Sequence, residues 1–235
     1  LTSLLHHVTA GGVDYLVVLG TTGEPATMTP EEKHRVVRHC VANNPGGLPI
    51  VVGIGGNNTA EVIRTMQTFD LTGVSAILSV TPYYNKPNQR GLEAHFSAVL
   101  EAAPLPVILY NIPGRPGVSM TAETTLKLAH AYPGQAVAVK EASGIMSQAA
   151  YILRDRPEGF FVLSGEDNLA MATVAMGSQA KKRAASPEAR TVMPKTSPSH
   201  APAPGPSSAP PMMTGTPTMD TANVPKRMAM PIICS

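Results

Sequence analysis

Six short apolar runs occur along the first three quarters of the chain, and segments with helical spacing separate them. Each run is apolar at consecutive positions rather than at alternate ones, which is typical of strands that are covered on both faces. The runs recur roughly every 25 to 30 residues, a spacing that fits βαβ units. They are YLVVLG, PIVVGIG, SAILSVTP, PVILYNIP, AVAVKEAS and FFVLSGED.

The segments between the runs carry signals for helix starts. Thr29 can cap a helix in which Pro30 takes the first position and Glu32 completes a capping box. Asn58 and Glu61 repeat this arrangement before the next helix. Strands that alternate with helices predict a parallel sheet, because parallel strands need crossover connections. The pattern leaves two architectures open, a doubly wound sheet and a (β/α)₈ barrel.

The pattern stops after Gly177. Residues 178–235 contain no leucine and no aromatic residue, and proline is frequent among them. Such a segment cannot bury enough apolar surface to offset the entropy lost on ordering. We therefore expect a folded domain over residues 1–177 and a disordered tail over residues 178–235, which we interpret as the product of a shifted reading frame. The alternative is a genuine Pro-rich interaction tail fused to a partial domain.

Composition narrows the classes of partner. The 235 residues carry a net charge of +2, which is too small to indicate a nucleic-acid partner. No apolar run approaches the roughly 18 residues of a membrane-spanning helix, so we expect no membrane association. The two cysteines, Cys40 and Cys234, lie in unrelated contexts without CxxC spacing. This favours a reducing compartment, and we expect a cytoplasmic protein.

Polar residues gather directly after the predicted strands. The segments GTTGEP, TPYYN, YNIPGR, KEASG and SGED follow the first, third, fourth, fifth and sixth runs. In parallel α/β folds the carboxyl ends of the strands and the loops that follow them form the active face. A barrel would bring these segments together around one mouth, although they are distant in sequence.

Lys140 lies at the end of an apolar strand, which is an unusual position for a charged group. Removing an ammonium group from water favours the neutral amine, which is a nucleophile that can form a Schiff base with a carbonyl compound. The alternative is a structural ion pair with Glu24 or Glu141. The strand considered alone does not decide between these two interpretations.

Other strand ends supply groups that would assist such an amine. Tyr110 ends the preceding strand and can carry protons, whereas Thr21 and Thr22 lie in a glycine-flanked loop that can hold a carboxylate. Arg115 follows a Pro-Gly pair and can bind a second carboxylate. The alternatives are a core tyrosine, turn-forming threonines and a surface arginine.

Motifs for cofactors are missing from the sequence. GTTGEP lacks the Gly-Lys-Ser/Thr of a phosphate-binding loop, and GIGGNN lacks the third glycine of a dinucleotide fingerprint. No cluster of cysteine, histidine and aspartate has the spacing of metal ligands. We therefore expect neither a metal nor an organic cofactor.

Taken together, five motifs carry a family resemblance. GTTGE, TPYYNKP, LYNIPGR, VKEASG and SGEDN, in this order, resemble the pyruvate-dependent class I aldolases that include N-acetylneuraminate lyase, and among them the dihydrodipicolinate synthase family. The resemblance covers Leu1 to Gly177. It implies an incomplete (β/α)₈ TIM barrel with strands two to seven, in which the chain begins inside the first helix and the tail replaces the eighth strand.

The resemblance also implies a reaction. Lys140 would form the Schiff base with pyruvate, and Tyr110 would be the chief proton carrier. Thr21 and Thr22 would hold the pyruvate carboxylate, with Thr21 in the proton relay. The enamine on Lys140 would then attack L-aspartate 4-semialdehyde and give 4-hydroxy-tetrahydrodipicolinate, a precursor of diaminopimelate and lysine.

Three further residues match positions of the family. Arg115 would bind the carboxylate of aspartate semialdehyde, and Gly165 would line the pocket through its backbone. Tyr84 would complete the proton relay in a partner subunit's site, since family members are often homotetramers built as dimers of dimers. Two alternatives remain, a related 2-keto acid aldolase and a catalytically inert barrel fragment that associates with an intact homologue or misfolds.

Overall fold

In the computed structural model, which describes residues 1–178, strands and helices alternate along the chain. The strands are β1 Leu16–Val18, β2 Ile50–Gly53, β3 Ala76–Val80, β4 Val107–Asn111, β5 Ala136–Glu141 and β6 Phe161–Ser164. The helices are α1 Thr2–Ala10, α2 Pro30–Ala42, α3 Thr59–Thr68, α4 Gln89–Ala102, α5 Ala122–Ala131, α6 Met146–Asp155 and α7 Ala170–Ala175. Each predicted apolar run contains one of these strands.

The six strands form one parallel sheet in the order β1-β2-β3-β4-β5-β6. Each strand therefore pairs with the one that precedes it in the chain. This order distinguishes the two predicted architectures, because a doubly wound sheet reverses its strand order at a switch point and this sheet does not. The sheet curls into a half-barrel with helices outside, which confirms the prediction of an incomplete TIM barrel.

Apolar side chains cover both faces of the sheet. Alternate strand residues such as Leu16, Ile77 and Leu109 pack between the sheet and the helices, together with Phe96 of α4. The remaining positions form a second buried cluster on the concave face: Tyr15, Val17, Val51, Ala76, Leu78, Ile108, Tyr110, Ala138, Ala142 and Leu163. Burial on both faces explains why the strand sequences are apolar at consecutive positions.

The predicted helix starts are confirmed in atomic detail. The Thr29 hydroxyl accepts a hydrogen bond from the Glu32 amide at 3.2 Å, and the Thr29 amide donates to the Glu32 carboxylate at 2.8 Å. Pro30 is the first residue of α2. Before α3, the Asn58 side chain accepts from the amide of Glu61 at 3.3 Å. These caps set where each helix leaves the loop that carries the polar residues.

The predicted tail lies, apart from its first residue, outside the described residues, and its disorder and origin stay predictions. None of the helices formed by residues 1–178 is long and apolar enough to cross a membrane. Within the same range, no group of three or more histidine, cysteine, aspartate and glutamate side chains is arranged to hold a metal ion. Cys40 is a buried free thiol.

Candidate active site

Lys140 lies on the concave face of the half-barrel, near the end of β5. Its side chain is almost completely buried, with the residue 2% exposed. The register pairs it with Tyr110 on β4. The amine Nζ lies over the Tyr110 ring, 4.0 Å from the ring centroid. The pairing of two neighbouring parallel strands therefore brings the predicted nucleophile and the predicted proton carrier into contact.

Glu141, the next residue along β5, belongs to the opposite face. Its Oε2 accepts hydrogen bonds from Asn111 at 3.0 Å and from Gln148 at 2.8 Å, and its Oε1 accepts from the Ser143 amide at 2.7 Å. Because successive strand residues point to opposite faces of a sheet, this carboxylate is directed away from the Lys140 amine. The geometry therefore argues against the ion pair between Lys140 and Glu141.

The Tyr110 phenol has a perturbed proton affinity. Burial raises its pKa above the ordinary value of 10.0. A hydrogen bond with the Thr21 side chain and the positive charge of Arg115 act in the opposite direction, whereas the charge of Glu166 adds to the increase. The phenol therefore stays protonated near neutral pH.

The loop after β1 presents Thr21 to this phenol. Thr21 to Gly23 form a short 3₁₀ turn, which the Gly23 amide closes by donating to the Gly20 carbonyl at 2.8 Å. The turn is held against β2 at Gly53, where a Cβ atom would lie 2.0 Å from the Leu19 carbonyl oxygen. Only glycine permits that approach. Thr22 is exposed in the same turn.

Arg115 lies on the loop that follows β4, between Asn111 and α5. Its amide donates to the Ile112 carbonyl at 3.1 Å, and its side chain is exposed. The side chain of Asn111 closes the base of the loop. Its oxygen accepts a hydrogen bond from the backbone N–H of Met120 at 2.9 Å, and its NH₂ group donates to the Met120 carbonyl at 3.1 Å. The guanidinium is therefore exposed, and its charge is close enough to act on Tyr110.

Gly165 follows β6 directly and packs against the end of β5. Its amide donates to the Glu141 carbonyl at 2.7 Å. A Cβ atom at this position would lie 2.5 Å from the Ala142 Cβ. The absence of a side chain therefore lets β6 approach the strand that carries Lys140. Glu166 comes next, close enough for its charge to act on Tyr110.

Tyr84 is far more exposed than the other candidates. It lies in the loop between β3 and α4, with φ at 71° and 90% of its surface exposed. Tyr83 beside it is 45% exposed. The loop is anchored by the Asn85 side chain, which donates to the Asn57 carbonyl at 3.0 Å. The Tyr84 ring is therefore almost fully exposed, with little packing against the other residues of the described range 1–178.

Sequence reasoning missed two residues of this site. Glu166 acts on Tyr110 through its charge, and Asn111 donates a hydrogen bond to Glu141 on the helix-facing side of the sheet. Their positions in the sequence could have indicated them, since Asn111 follows Tyr110 directly and Glu166 follows Gly165 directly. Both adjacencies are visible in the motifs YNIPGR and SGED.

A family model provides an independent comparison. The model described as the Dihydrodipicolinate synthetase family matches residues 1–194 of the 235 residues of the chain. The chain belongs to this family. The match includes all the strands of the half-barrel and every candidate site residue.

Individual relatives agree with this result. The chain is 46% identical over 177 residues to a 4-hydroxy-tetrahydrodipicolinate synthase of Flavobacterium psychrophilum. This alignment covers 75% of this chain and 60% of the relative. It is also 48% identical over 178 residues to the enzyme of the same name from Azobacteroides pseudotrichonymphae, in an alignment that covers 76% of this chain and 60% of the relative. The chain thus spans about 60% of the length of these curated dihydrodipicolinate synthase relatives.

A solved structure of the same family matches a similar share of the chain. The dihydrodipicolinate synthase of Acinetobacter baumannii, solved as a complex with pyruvate, superimposes with a TM-score of 0.72 at 35% sequence identity. The alignment covers 76% of this chain and 61% of that chain. The described half-barrel therefore shares its fold with an enzyme of the dihydrodipicolinate synthase family.

Proposed function

We propose that this chain carries the Schiff-base chemistry of a dihydrodipicolinate synthase. The observation that supports the proposal is the contact between the buried Lys140 amine and the Tyr110 ring, together with the hydrogen bond between the Thr21 side chain and the Tyr110 phenol. An amine held out of water beside a proton carrier is the arrangement that addition to a ketone requires. The family membership and the pyruvate complex of the Acinetobacter baumannii relative support pyruvate as the ketone.

The first half of the reaction uses pyruvate. The Lys140 nitrogen attacks the carbonyl carbon, the resulting carbinolamine loses water, and an iminium forms. Tyr110 and Thr21 transfer the protons of this step, while Thr21 and Thr22 bind the pyruvate carboxylate. Loss of a proton from the methyl group then gives the enamine.

The second half uses L-aspartate 4-semialdehyde. The enamine carbon attacks the aldehyde carbon, and the amine of the substrate then attacks the iminium carbon. This step closes the ring, releases Lys140 and yields 4-hydroxy-tetrahydrodipicolinate. Arg115 binds the substrate carboxylate at the mouth, and Gly165 lines the pocket with its backbone. No metal and no organic cofactor takes part.

The position of Tyr84 supports a site shared between subunits. An exposed tyrosine ring beside the half-exposed Tyr83 is an unsatisfied apolar surface on a single chain. We assign it to contact with a second copy, into whose site Tyr84 would extend the Tyr110–Thr21 relay. The assembly would be a homo-oligomer, a dimer of dimers, in the cytoplasm.

Product analysis tests this function. The full chain is incubated with pyruvate and aspartate semialdehyde, and the products are identified by mass spectrometry, with Lys140→Ala as the control. If the wild-type chain forms the cyclic product and Lys140→Ala does not, the proposed synthase activity is supported. Turnover of sugar-derived aldehydes instead would favour the related 2-keto acid aldolase, and no product with either aldehyde from folded protein would favour the inert fragment.

A further inference from the structure

A buried hydrogen-bond cluster joins the ends of β4 and β5 on the helix-facing side of the sheet. We call it the Glu141 cluster, and its members are the side chains of Asn111, Glu141 and Gln148 with the backbones of Met120 and Ser143. The Glu141 carboxylate accepts three hydrogen bonds within it. The Gln148 amide also donates to the Met120 carbonyl at 3.2 Å, so α6 is connected to the same cluster.

The cluster lies directly behind the catalytic pair. Asn111 and Glu141 are paired in the sheet register, one step beyond the pair formed by Tyr110 and Lys140. A shift of either strand end would therefore move a catalytic residue with it. The Ala142 amide also donates to the Asn111 carbonyl at 2.8 Å, and this bond extends the ladder past the cluster.

The same cluster closes the base of the loop that carries Arg115. The Asn111 side chain forms hydrogen bonds with both backbone groups of Met120 and also donates to Glu141. Fixing the two ends of a loop restricts the positions that its middle can reach. One buried carboxylate is therefore connected to the backbones that present three of the proposed site residues: Lys140, Tyr110 and Arg115.

We propose that Glu141 is a positioning residue of the site, which holds the Lys140 amine against Tyr110 from the opposite face of the sheet. The role in catalysis rests on the proposed Schiff-base function, whereas the link between the strand ends does not. Both carboxylate oxygens of Glu141 already accept hydrogen bonds. An amide at this position would thus place an NH₂ group against an N–H donor in either orientation.

The test uses Glu141→Gln, which keeps the size of the side chain, with Glu123→Gln as a matched control on the exposed surface of α5. Two quantities are measured in the full chain. The first is amide hydrogen exchange at Ser143 and Met120, which does not require activity. The second is the rate at which borohydride traps pyruvate on Lys140, together with the pyruvate concentration that gives half the maximal rate.

We expect faster exchange at both amides in Glu141→Gln, and a trapping rate reduced by about tenfold or more because the amine is displaced. The half-saturating pyruvate concentration should stay within about twofold of the wild-type value, because Thr21 and Thr22 lie outside the cluster. Glu123→Gln should match the wild type in both measurements. A folded Glu141→Gln protein with unchanged exchange and trapping would overturn the proposal.

A second variant decides the case in which Glu141→Gln fails to fold. Gln148→Ala keeps the carboxylate and removes one of its three donors, and it should reduce the trapping rate by about threefold. An unchanged rate would reject the positioning role. If the wild-type chain traps no pyruvate while Glu141→Gln still exchanges faster, the Schiff-base proposal fails and the link between the strand ends is supported.

Discussion

Lys140 and Tyr110 occupy paired positions on neighbouring parallel strands, and the lysine Nζ lies 4.0 Å from the centroid of the tyrosine ring. The pair is buried on the concave face of the sheet, although both side chains carry polar groups. Burying an amine and a phenol costs free energy that two apolar residues would not cost. We attribute the arrangement to chemistry rather than to stability.

Replacing Tyr110 with phenylalanine should lower kcat by about 10²-fold, because general acid–base transfer contributes on this order. The aromatic ring that contacts Lys140 remains, so the effect isolates the hydroxyl group. Steady-state kinetics with pyruvate and aspartate semialdehyde measures it.

Tyr15→Phe is the matched control for this substitution. Tyr15 is buried on the same concave face, and within residues 1–178 its hydroxyl has no hydrogen-bond partner. Removing an unsatisfied buried hydroxyl should leave kcat unchanged and maintain or raise the free energy of unfolding. Equal losses of kcat in the two variants would show that the effect is not specific to the Tyr110 hydroxyl and would reject its role in proton transfer.

Gly165→Ala should reduce stability, because the new methyl group would lie 2.5 Å from the Ala142 Cβ. Overpacking of this kind costs about 1–3 kcal/mol. Urea unfolding gives the change in the free energy of unfolding, with Gly114→Ala as the control, since a Cβ atom there has no neighbour within 4 Å. Equal stabilities of the two variants would mean that β5 and β6 are less closely packed than described.

His95 should make stability depend on pH. Its Nδ1 is 2.8 Å from the Thr59 hydroxyl, and burial lowers its pKa from 6.5 to about 4. Between the pKa of the unfolded chain and that of the folded chain, His95 binds a proton only when the chain is unfolded. The contribution of His95 to the free energy of unfolding is therefore fully present above the unfolded pKa and is lost as the pH falls towards the folded pKa. The full loss is about 3 kcal/mol, reached near the folded pKa.

Denaturant unfolding at about pH 7.5 and about pH 5 checks this expectation. His95→Asn should remove this part of the pH dependence, because asparagine can still hydrogen-bond to Thr59 and does not titrate. His130→Asn, on the exposed surface of α5, is the control and should keep it. The same pH dependence in all three proteins would assign the effect to other groups.

The sequence was sufficient for the strands and for the central pair. Consecutive apolar residues with polar ends determine both where β4 and β5 lie and which of their residues reach the active edge of the sheet. Consecutive strands joined by a crossover usually lie side by side in a parallel sheet. Tyr110 and Lys140 could therefore be predicted from the sequence to lie on neighbouring strands, whereas their direct pairing is a result of the structure.

The Glu141 cluster could not be predicted in the same way. Its members depend on which face each side chain takes at the strand end and on how α6 and the Met120 backbone pack there. The contribution proposed for Tyr84 would depend on a second chain, and within residues 1–178 the exposed rings of Tyr83 and Tyr84 are what suggest it. Local pattern determines secondary structure, whereas the contacts of the Glu141 cluster arise from tertiary packing.

Trapping with borohydride tests the central claim most directly. The full chain is incubated with pyruvate, reduced, digested and mapped by mass spectrometry, with Lys127→Arg as a surface control and Lys140→Arg as the site variant. We predict one reduced pyruvate on the peptide that contains Lys140, present in the wild type and in Lys127→Arg and absent from Lys140→Arg. Folded wild-type protein that carries no adduct, or carries it on another lysine, would contradict the account.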